Sequence, residues 1–494
     1  MSMKYLLGID FGGGASKATL IGEDGVIACE STVEYPTLYP EPLACEQSPE
    51  DWIDALCRNT RAIIDKSGVD PESIAAIAID SATHTFLPCD DEYKPLCNAI
   101  HWTDSRSRAQ ANRLREAHGD MIFAKTYHKP DTIWTLPQLL WLKENRPQIF
   151  SEMKHIFFEK DYIRFFLTDV YCTDYIEAEG SMLFNLETKE WDPELSALCG
   201  ADVSMLPPIV NPCDIVGGVT ESAASLTGLN TGTPVICGTT DTVMEVFASG
   251  AVEEGDMTVK LATAGRICVI TSKPYPDRHM INYSHVVEGL WYPGTATKSA
   301  AASYRWYRDT FGEDYATLNE GAGAVPIGCD GLIFHPYLNG ELTPYADPTL
   351  CGSFTGIRAT HKKAHFTRAL LEGVCLSLLD NKTYLDSLGV SYKGSATLIG
   401  GGAKGDLWTQ MTSDVLGIAL TRTESSDSSL GSAMLAGVAI GIFADVKSAV
   451  RLCVKPKDVT YPNMENHERY LKLFARYKKL HDVLAQVYHE DLDI

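Results

Sequence analysis

Two aspartates, each placed where an apolar segment ends, are the residues best suited to metal or acid–base chemistry. Asp10 follows Leu6–Ile9 and precedes Gly12-Gly13-Gly14, and Asp241 follows Val235–Gly238. A carboxylate at a strand end can hold a metal ion, usually through water, beside a glycine turn that holds phosphate. The structural alternative for Asp10 is a turn or N-cap role. Asp241 opens a helical pattern, where aspartate is usually a cap. The functional alternative is a general base that accepts the proton of an attacking hydroxyl.

A second glycine turn, Gly400-Gly401-Gly402, separates the apolar run Ala396–Ile399 from a helical pattern that begins near Leu407. Glycine leaves room for backbone to pass close to a ligand. The start of the helix presents free N–H groups and a positive dipole to an anion. The pattern therefore predicts a nucleotide against this turn. The alternative is a tight strand-to-helix connection, as in any α/β protein.

Polar residues suited to a sugar pocket follow another predicted strand. They lie in Asp80–Phe86 and His101–Arg106, which combine carboxylate, hydroxyl and imidazole groups with aromatic rings. The structural alternative for His84 is a satisfied core or turn residue. Lys17, on the strand that leaves the first turn, favours a solvated edge position over a phosphate contact.

The elements that must position these groups occur twice along the chain. Tyr5–Ile21 predicts two strands joined by the triple glycine, and Met257–Thr271 predicts a second strand–turn–strand unit. Each unit precedes alternating helices and strands, so we expect two copies of one α/β plan. The boundary is predicted near Ala251–Asp256.

Other segments give simpler expectations. A helix is predicted to open at Pro49 with Ser48 as its cap. Ser73–Ile79 predicts a buried strand, and residues 125–215 predict helices and short strands. Pro456–Asn463 is interpreted as a linker, and roughly the last thirty residues as an amphipathic helix.

Composition limits the class of protein. The 494 residues predict two or three domains, and the net charge of −23 argues against binding to nucleic acid or anionic lipid. The 14 cysteines form no CxxC pair, which favours reduced thiols in a cytoplasmic protein. The N-terminus runs directly into a strand pattern, and the longest near-apolar stretch, Ala433–Ala444, is shorter than the ~20 residues of a membrane span.

The order of these motifs resembles the FGGY family of carbohydrate kinases over nearly the whole length. The segments that carry the resemblance are Gly8–Gly12, Gly238–Asp241, Leu261–Gly265, Pro336–Pro344, Gly352–Gly356, Leu371–Gly373, Gly400–Lys404 with Trp408, and Leu430–Met434. Within the family the chain is most similar to the xylulokinase branch, through Glu46–Trp52, Lys160–Tyr162 and the pattern Trp102-x-Asp104-x-Arg106.

The resemblance implies a duplicated ribonuclease H-like (actin/hexokinase-type) α/β fold with a cleft between the domains. The implied segments are an N-terminal domain at 1–250, a C-terminal nucleotide domain at 251–455, and a linker with a helix at 456–494. The implied activity is transfer of phosphate from ATP, with Mg²⁺, to a terminal hydroxyl of a ketopentose such as D-xylulose. A homodimer is also typical of such kinases.

The resemblance also assigns roles to individual residues. The implied catalytic and Mg²⁺-binding residues, the latter acting through water, are Asp10 and Asp241. The implied sugar contacts are Thr83, His84, Trp102, Asp104 and Asp241. The implied nucleotide contacts are Gly12, Gly13, Gly14, Lys17, Thr263, Gly265, Gly401, Gly402, Ala403 and Lys404.

Three departures from the family pattern bear on these expectations. The first turn usually reads Gly-Thr-Thr/Ser, but Gly13 and Gly14 carry no hydroxyl here. Ala262 and Ala264 replace the common glycine and serine, and Leu342 stands where arginine is frequent. The alternatives left open are another ketose, a polyol or gluconate as acceptor, a sugar-binding regulator or pseudokinase, and an actin- or chaperone-like ATPase.

Overall fold

The computed structural model describes residues 3–490, which form two compact units that are not consecutive in sequence. Within the described range, unit 1 comprises the residues up to Val252, Tyr283–Glu288 and Ser425–Lys455. Unit 2 comprises Glu253–Asn282, Gly289–Glu424 and the residues from Pro456. The chain therefore crosses between the two units at more positions than the two predicted domain borders, 250/251 and 455/456.

The strands and helices of the first half alternate. The strands are β1 (Tyr5–Phe11), β2 (Ala15–Gly22), β3 (Ile27–Glu34), β4 (Glu46–Gln47), β5 (Ile74–Ser81), β6 (Phe86–Cys89), β7 (Ala99–Ile100), β8 (His155–Phe158), β9 (Thr173–Asp174), β10 (Phe184–Asn185), β11 (Glu190–Trp191), β12 (Ile209–Val210), β13 (Ile215–Gly218) and β14 (Pro234–Ile236). The helices are α1 (Pro49–Ser67), α2 (Arg108–Thr126), α3 (Thr135–Asn145), α4 (Pro147–Glu152), α5 (Glu159–Thr168), α6 (Tyr175–Gly180), α7 (Pro193–Cys199), α8 (Glu221–Thr227) and α9 (Asp241–Ala248).

The second half continues the same alternation. Its strands are β15 (Met257–Leu261), β16 (Gly265–Val269), β17 (Gly294–Thr297), β18 (Ile333–His335), β19 (Ser353–Thr355), β20 (Ser395–Ile399), β21 (Ala419–Thr423) and β22 (Pro456–Thr460). Its helices are α10 (Ala301–Phe311), α11 (Tyr315–Gly323), α12 (Lys363–Ser387), α13 (Asp406–Leu416), α14 (Ser428–Ala439), α15 (Val446–Cys453) and α16 (Met464–Tyr488). Among residues 3–490, no helix combines the length and the apolarity that crossing a bilayer requires.

Each unit contains a six-stranded sheet, and the two sheets share one topology. The strand orders are β3-β2-β1-β5-β14-β13 in unit 1 and β17-β16-β15-β20-β21-β22 in unit 2. In both sheets the central pairs, β1/β5/β14 and β15/β20/β21, are parallel, and every outer pair is antiparallel. The predicted duplication of an α/β plan is therefore confirmed.

Each unit has its own apolar core. In unit 1, Leu7, Ile9 and Ile77 of the sheet pack with Trp52 of α1. In unit 2, strands β16, β17 and β18 pack against α12, whose residues between Thr367 and Asn381 are buried throughout. The parallel strands are continuous apolar runs because both faces of the sheet are covered.

The predicted start of α1 is confirmed, with Ser48 at the N-cap position, although its side chain makes no capping bond and its hydroxyl donates to Glu50 instead. Another local prediction is wrong. The segment predicted as a linker contains β22, which pairs with β21 at the edge of the unit 2 sheet. The helix predicted for the last thirty or so residues is confirmed as α16.

Candidate active site

Three aspartates meet at the carboxyl ends of the parallel strands of unit 1. Asp10 on β1 is the direct partner of Asp80 on β5. Ser81, the next residue, bridges to Thr240, which precedes Asp241. Because neighbouring parallel strands end at the same edge, residues far apart in sequence are brought together there. Sequence reasoning identified Asp10 and Asp241 as chemical groups, but it treated Asp80 only as part of a polar segment.

Burial and mutual repulsion raise the pKa values of two of these carboxyl groups. Burial, followed by the charge of Asp241, raises the pKa of Asp10 to about 8. Burial and then the charge of Asp10 raise the pKa of Asp80 well above its usual value. Ser432 of α14 donates a hydrogen bond of 2.5 Å to Oδ2 of Asp80. Such strongly perturbed carboxyl groups are typical of functional sites.

The pair fits a divalent cation in the manner of magnesium. Oδ1 of Asp10 and Oδ1 of Asp80 are both buried, and neither has a hydrogen-bond partner in the part of the chain that the structure describes. Over the same residues, no group of three or more His, Cys, Asp or Glu side chains is arranged to hold a metal ion, so any ion here would need ligands from water or substrate. Mg²⁺ typically takes one or two carboxylates, with waters and substrate phosphates completing its coordination.

Asp241 is held in one orientation by two hydroxyl groups. Thr83 and Thr242 donate hydrogen bonds of 3.2 and 3.1 Å to its Oδ1 atom. The N-cap residue of α9 is Thr240, and Asp241 is the first residue of the helix proper. The capping alternative for Asp241 is therefore not what the structure shows. With Oδ1 engaged, Oδ2 is the atom left to accept a proton from a ligand.

A buried ionic network fixes the segment that leads into Asp241. Thr239 donates a hydrogen bond of 2.7 Å to Oδ1 of Asp174. Lys160 lies 2.9 Å from the other oxygen of Asp174 and 2.5 Å from Asp161, and all three charged side chains are fully buried. Sequence reasoning noted Lys160 and Asp161 only as a family signature, and it missed Asp174, which no local motif marks.

His84 lies in a cluster of aromatic rings. Its backbone has φ of 68°, and its N–H donates a hydrogen bond of 2.8 Å to Glu177. Its Nε2 atom lies 2.7 Å from the hydroxyl of Tyr283, and its ring centre lies 4.9 Å from that of Trp134. Burial lowers its pKa well below the usual value, so the ring is neutral.

Of the other predicted sugar contacts, Trp102 is exposed and Asp104 is buried. The Asp104 carboxylate accepts hydrogen bonds of 2.8 Å from the Cys45 N–H and 2.9 Å from both the N–H and Nε of Arg106. These bonds give Asp104 a structural role in its loop. Direct contact of Trp102 or Asp104 with a sugar stays a prediction.

The carbonyl groups of the triple-glycine turn are all held by one neighbouring segment. The Tyr35 hydroxyl donates to the Gly12 carbonyl, and the Thr37 hydroxyl donates to the Gly13 carbonyl. The Tyr35 N–H donates to the Gly14 carbonyl at 3.1 Å. Sequence reasoning did not identify Tyr35 or Thr37, because only pairing with β3 brings them beside the turn.

Lys17 differs from the solvated edge residue that its position predicts. Its ammonium lies 3.0 Å from Asp427 and 3.2 Å from Glu30. Burial lowers its pKa, but the charge of Asp427 and the further carboxylate contacts outweigh that, and the net pKa is raised. A phosphate contact for Lys17 stays a prediction.

In unit 2 the second hairpin turn is closed by backbone bonds. Thr263 accepts hydrogen bonds at its carbonyl from Ala300 and Ala302, at 3.0 and 3.1 Å, and Arg305 donates to its hydroxyl at 3.3 Å. A Cβ on Gly265 would lie 2.7 Å from the Thr297 side chain, so packing alone requires glycine there.

The other glycine turn of unit 2 is rigid and partly open. Gly401–Lys404 form a 3₁₀ turn, and Arg422 donates a hydrogen bond of 2.9 Å to the Ala403 carbonyl. A Cβ on Gly401 would meet no atom within 4 Å, whereas one on Gly402 would lie 2.8 Å from Leu261. Trp408 is buried in the core. The open position beside Gly401 leaves room for a ligand.

Comparison with known proteins gives a consistent picture. Models of the FGGY family of carbohydrate kinases match residues 5–248 with the N-terminal domain and residues 235–440 with the C-terminal domain. The xylulose kinase of Bacillus subtilis (strain 168) is 32% identical over 97% of both chains. A gluconokinase of Bacillus licheniformis is 30% identical over 98% of this chain and 97% of that protein. The crystal structure of gluconate kinase from Lactobacillus acidophilus matches with a TM-score of 0.92 at 26% identity, over 99% of both chains.

Proposed function

The chain belongs to the FGGY family of carbohydrate kinases and is an ATP-dependent sugar kinase, and we propose that its acceptor is a ketopentose, D-xylulose. The product would be D-xylulose 5-phosphate. The observation that supports phosphoryl transfer to a hydroxyl group is the hydrogen bonding of Asp241. Two threonine hydroxyls bind its Oδ1 atom, and its Oδ2 atom is left for a substrate hydroxyl.

Asp241 is the proposed general base. A sugar hydroxyl is a poor nucleophile, so the enzyme must hold it in line with the γ-phosphoryl group and remove its proton as the new P–O bond forms. Thr83 and Thr242 keep the carboxylate from rotating, and the Asp174–Lys160 network fixes the segment before it. Water competes with the sugar as acceptor of the phosphoryl group, so the enzyme must also exclude water from the bound ATP and sugar.

Mg²⁺ is part of the proposal. Asp10 and Asp241, acting through water, would hold the ion, and Asp80 adds a further buried carboxyl group beside Asp10. When bound, the ion would neutralise part of the negative charge on the phosphate oxygens. The proposed contacts to ATP are the N–H groups of Gly12, Gly13 and Gly14, with Lys17, and in unit 2 Thr263, Gly265 and the turn Gly401–Lys404. A cytoplasmic location accords with 14 free thiols.

A neutral acceptor is favoured over gluconate by the surroundings of His84. The His84 side chain contacts the rings of Trp134 and Tyr283, the His84 N–H binds Glu177, and His128 is an electrostatic neighbour. The nearby cations Lys160 and Arg164 are buried in ion pairs with Asp161, and Lys160 also with Asp174. Neither the neutral ring of His84 nor the carboxyl group of Glu177 could pair with the charge of a sugar carboxylate.

The test is a panel of acceptors with ATP and Mg²⁺ in a coupled assay of ADP release. The panel contains D-xylulose, D-ribulose, a tetrulose, xylitol, glycerol and gluconate. We expect kcat/KM for D-xylulose to exceed that for gluconate by about tenfold or more, since leaving a buried charge unpaired costs more than 1.4 kcal/mol. The opposite order would show a gluconokinase, in accord with the second relative. Absence of turnover with every acceptor would favour the pseudokinase alternative.

A further inference from the structure

His101 presents an unused polar atom to the triple-glycine turn. The side chain is 4% exposed, and its Nε2 atom is buried without a hydrogen-bond partner among the described residues. A Cβ built on Gly13 would lie 3.8 Å from that atom. The loop is fixed, because the His101 N–H donates to the Cys45 carbonyl at 3.0 Å and Gln138 donates to the His101 carbonyl at 3.3 Å. An unsatisfied buried group in a rigid loop calls for an explanation.

The hydrogen bonds of the ring favour the tautomer in which Nε2 is the donor. The Thr103 N–H donates to Nδ1 at 3.3 Å, so Nδ1 is an acceptor. The Thr103 hydroxyl lies 2.7 Å from the same atom and donates to the Cys45 sulfur at 3.1 Å. The Cys45 thiol in turn lies 3.6 Å from Nδ1 and can donate to it. Burial lowers the pKa of His101 to about 4, so the ring is neutral at physiological pH. The tautomer assigned from this network carries its hydrogen on Nε2.

The turn itself offers only donors. Its three carbonyls are occupied by the Tyr35 hydroxyl, the Thr37 hydroxyl and the Tyr35 N–H. The N–H groups of Gly13 and Gly14 meet no acceptor in the described chain, whereas that of Gly12 binds the Ala15 carbonyl at 3.0 Å. A set of N–H donors without acceptors suits an anion. A sugar hydroxyl must also donate a hydrogen bond, and the carboxylate of Asp241 can accept one whereas the N–H groups of the turn cannot.

The fold does not require glycine at these three positions. None of Gly12, Gly13 and Gly14 has φ in the left-handed region, and Cβ atoms there would meet their nearest neighbours at 3.7, 3.8 and 3.8 Å, which is ordinary contact. The absence of side chains therefore leaves space in front of the donors. That space lies beside Asp10, because a Cβ on Gly12 would lie 4.0 Å from the Asp10 Oδ2 atom.

We propose that His101 is a substrate-contacting residue whose Nε2–H donates to a γ-phosphoryl oxygen of ATP, together with the N–H groups of Gly13 and Gly14. The inference rests on the proposed function as far as ATP is the phosphoryl donor, but it is independent of which sugar is the acceptor. In this arrangement the imidazole supplies the side-chain donor that the missing hydroxyl groups of the turn would otherwise provide.

The test compares His101→Leu with His101→Gln, whose amide N–H reaches the position of Nε2, in the full-length chain. Calorimetric titration with the β,γ-imido analogue of ATP and with ADP, both with Mg²⁺ and without sugar, measures the contact directly. We expect the leucine variant to bind the ATP analogue about tenfold or more weakly and ADP as before, since a hydrogen bond to a charged group contributes about 1.5–3 kcal/mol. The glutamine variant should recover most of the loss.

Gly13→Ala provides a second variant that leaves His101 intact. Its methyl group fits the free protein but enters the space before Nε2, so we expect an unchanged melting temperature and weaker binding of the ATP analogue. The inference would be overturned if the leucine variant lost equal affinity for ADP and the analogue, or if it bound both as the wild type does. A rise in KM for the sugar alone would also overturn it. If the variants changed nucleotide binding as expected but the wild type phosphorylated no sugar, only the proposed function would be overturned. A wild-type chain that bound neither nucleotide would overturn both proposals.

Discussion

At the level of single residues, the two oxygens of the Asp241 carboxylate have different surroundings. Asp241→Asn keeps an oxygen that Thr83 and Thr242 can bind, but it removes the group that accepts the proton. We expect kcat to fall by about 10²–10⁴-fold while the Kd for sugar changes little. Steady-state kinetics and sugar titration measure the two effects. Thr242→Val, which removes one orienting bond, is the control and should lose far less activity. Near-normal turnover of Asp241→Asn would remove this residue from the mechanism.

The raised pKa of Asp10 predicts how stability changes with pH. The folded protein binds a proton at Asp10 up to pH about 8, whereas the ordinary value is 3.8. Between these values the unfolded chain holds fewer protons, so the free energy of unfolding contributed by Asp10 falls as pH rises. Asp10→Asn removes this dependence. Urea unfolding without Mg²⁺ should therefore show the variant gaining stability over wild type from pH 5 to pH 8.

The exposed residue Asp65 on α1 provides the matched control for that experiment. Asp65→Asn should leave the pH dependence of unfolding unchanged. An Asp10→Asn variant whose difference from wild type stayed constant with pH would show that the carboxyl group is not protonated in the folded protein. The same variant should lack kinase activity, because it removes a proposed Mg²⁺ contact.

The sequence marks only those site residues that stand next to a strand end or a glycine turn. Asp10 and Asp241 were identified in this way, and the register of parallel strands explains why they meet. Asp174, Tyr35 and His101 lie in other segments, and only tertiary pairing brings them to the site. Their hydrogen bonds depend on partners far away in sequence, which no local pattern specifies.

At the level of elements, helix α14 approaches α9 and β1 without intervening side chains. A Cβ on Gly431 would lie 2.3 Å from the Met244 carbonyl of α9, and one on Gly8 would lie 1.9 Å from the Ser429 carbonyl. These contacts are with backbone, which cannot rotate away. The position of α9, and with it of Asp241, therefore depends on small residues in α14.

Gly431→Ala tests this close packing. The added methyl group must push α14 from α9, so we expect a loss of about 1–3 kcal/mol in the free energy of unfolding and a lower kcat. Gly119→Ala in α2 is the matched control, because its Cβ would meet only the Arg115 Cγ at 3.9 Å. That variant should gain up to about 1 kcal/mol from helix propensity. Equal effects of the two substitutions on unfolding in denaturant would contradict the packing argument.

Elements with a regular pattern of apolar residues were predicted from the sequence, whereas the edge strand β22 was not. The hairpins β1–β2 and β15–β16 and the helix α16 were found where expected. Strand β22 has the sequence Pro-Lys-Asp-Val-Thr, with no apolar alternation, and Val459 is exposed. Its conformation is set by pairing with β21, as β13 is paired with β14 in the other sheet. The duplicated topology would have predicted a sixth strand there.

At the level of the whole molecule, unit 1 is completed by a segment from late in the sequence. Residues from Leu430 to Gly437 of α14 are buried throughout. The Ser429 hydroxyl lies 2.7 Å from that of Thr19, and Ser432 binds Asp80. A chain cut after Val252, close to the predicted domain border, would lose these contacts and would expose the apolar surfaces of β1 and β5.

A fragment of residues 1–252 is therefore expected not to unfold cooperatively, whereas co-expression with residues 425–455 should restore a folded complex. Burial of the apolar side of α14 drives the association, since each large apolar side chain removed from water contributes about 1.5–3 kcal/mol. Circular dichroism melting and co-elution on size exclusion measure the outcome. The control peptide carries Gly431→Val, whose side chain cannot pass the Met244 carbonyl, and it should not associate. A fragment 1–252 that melts cooperatively alone would show that the N-terminal half folds without α14, and the sequence-based border would then describe an independent domain.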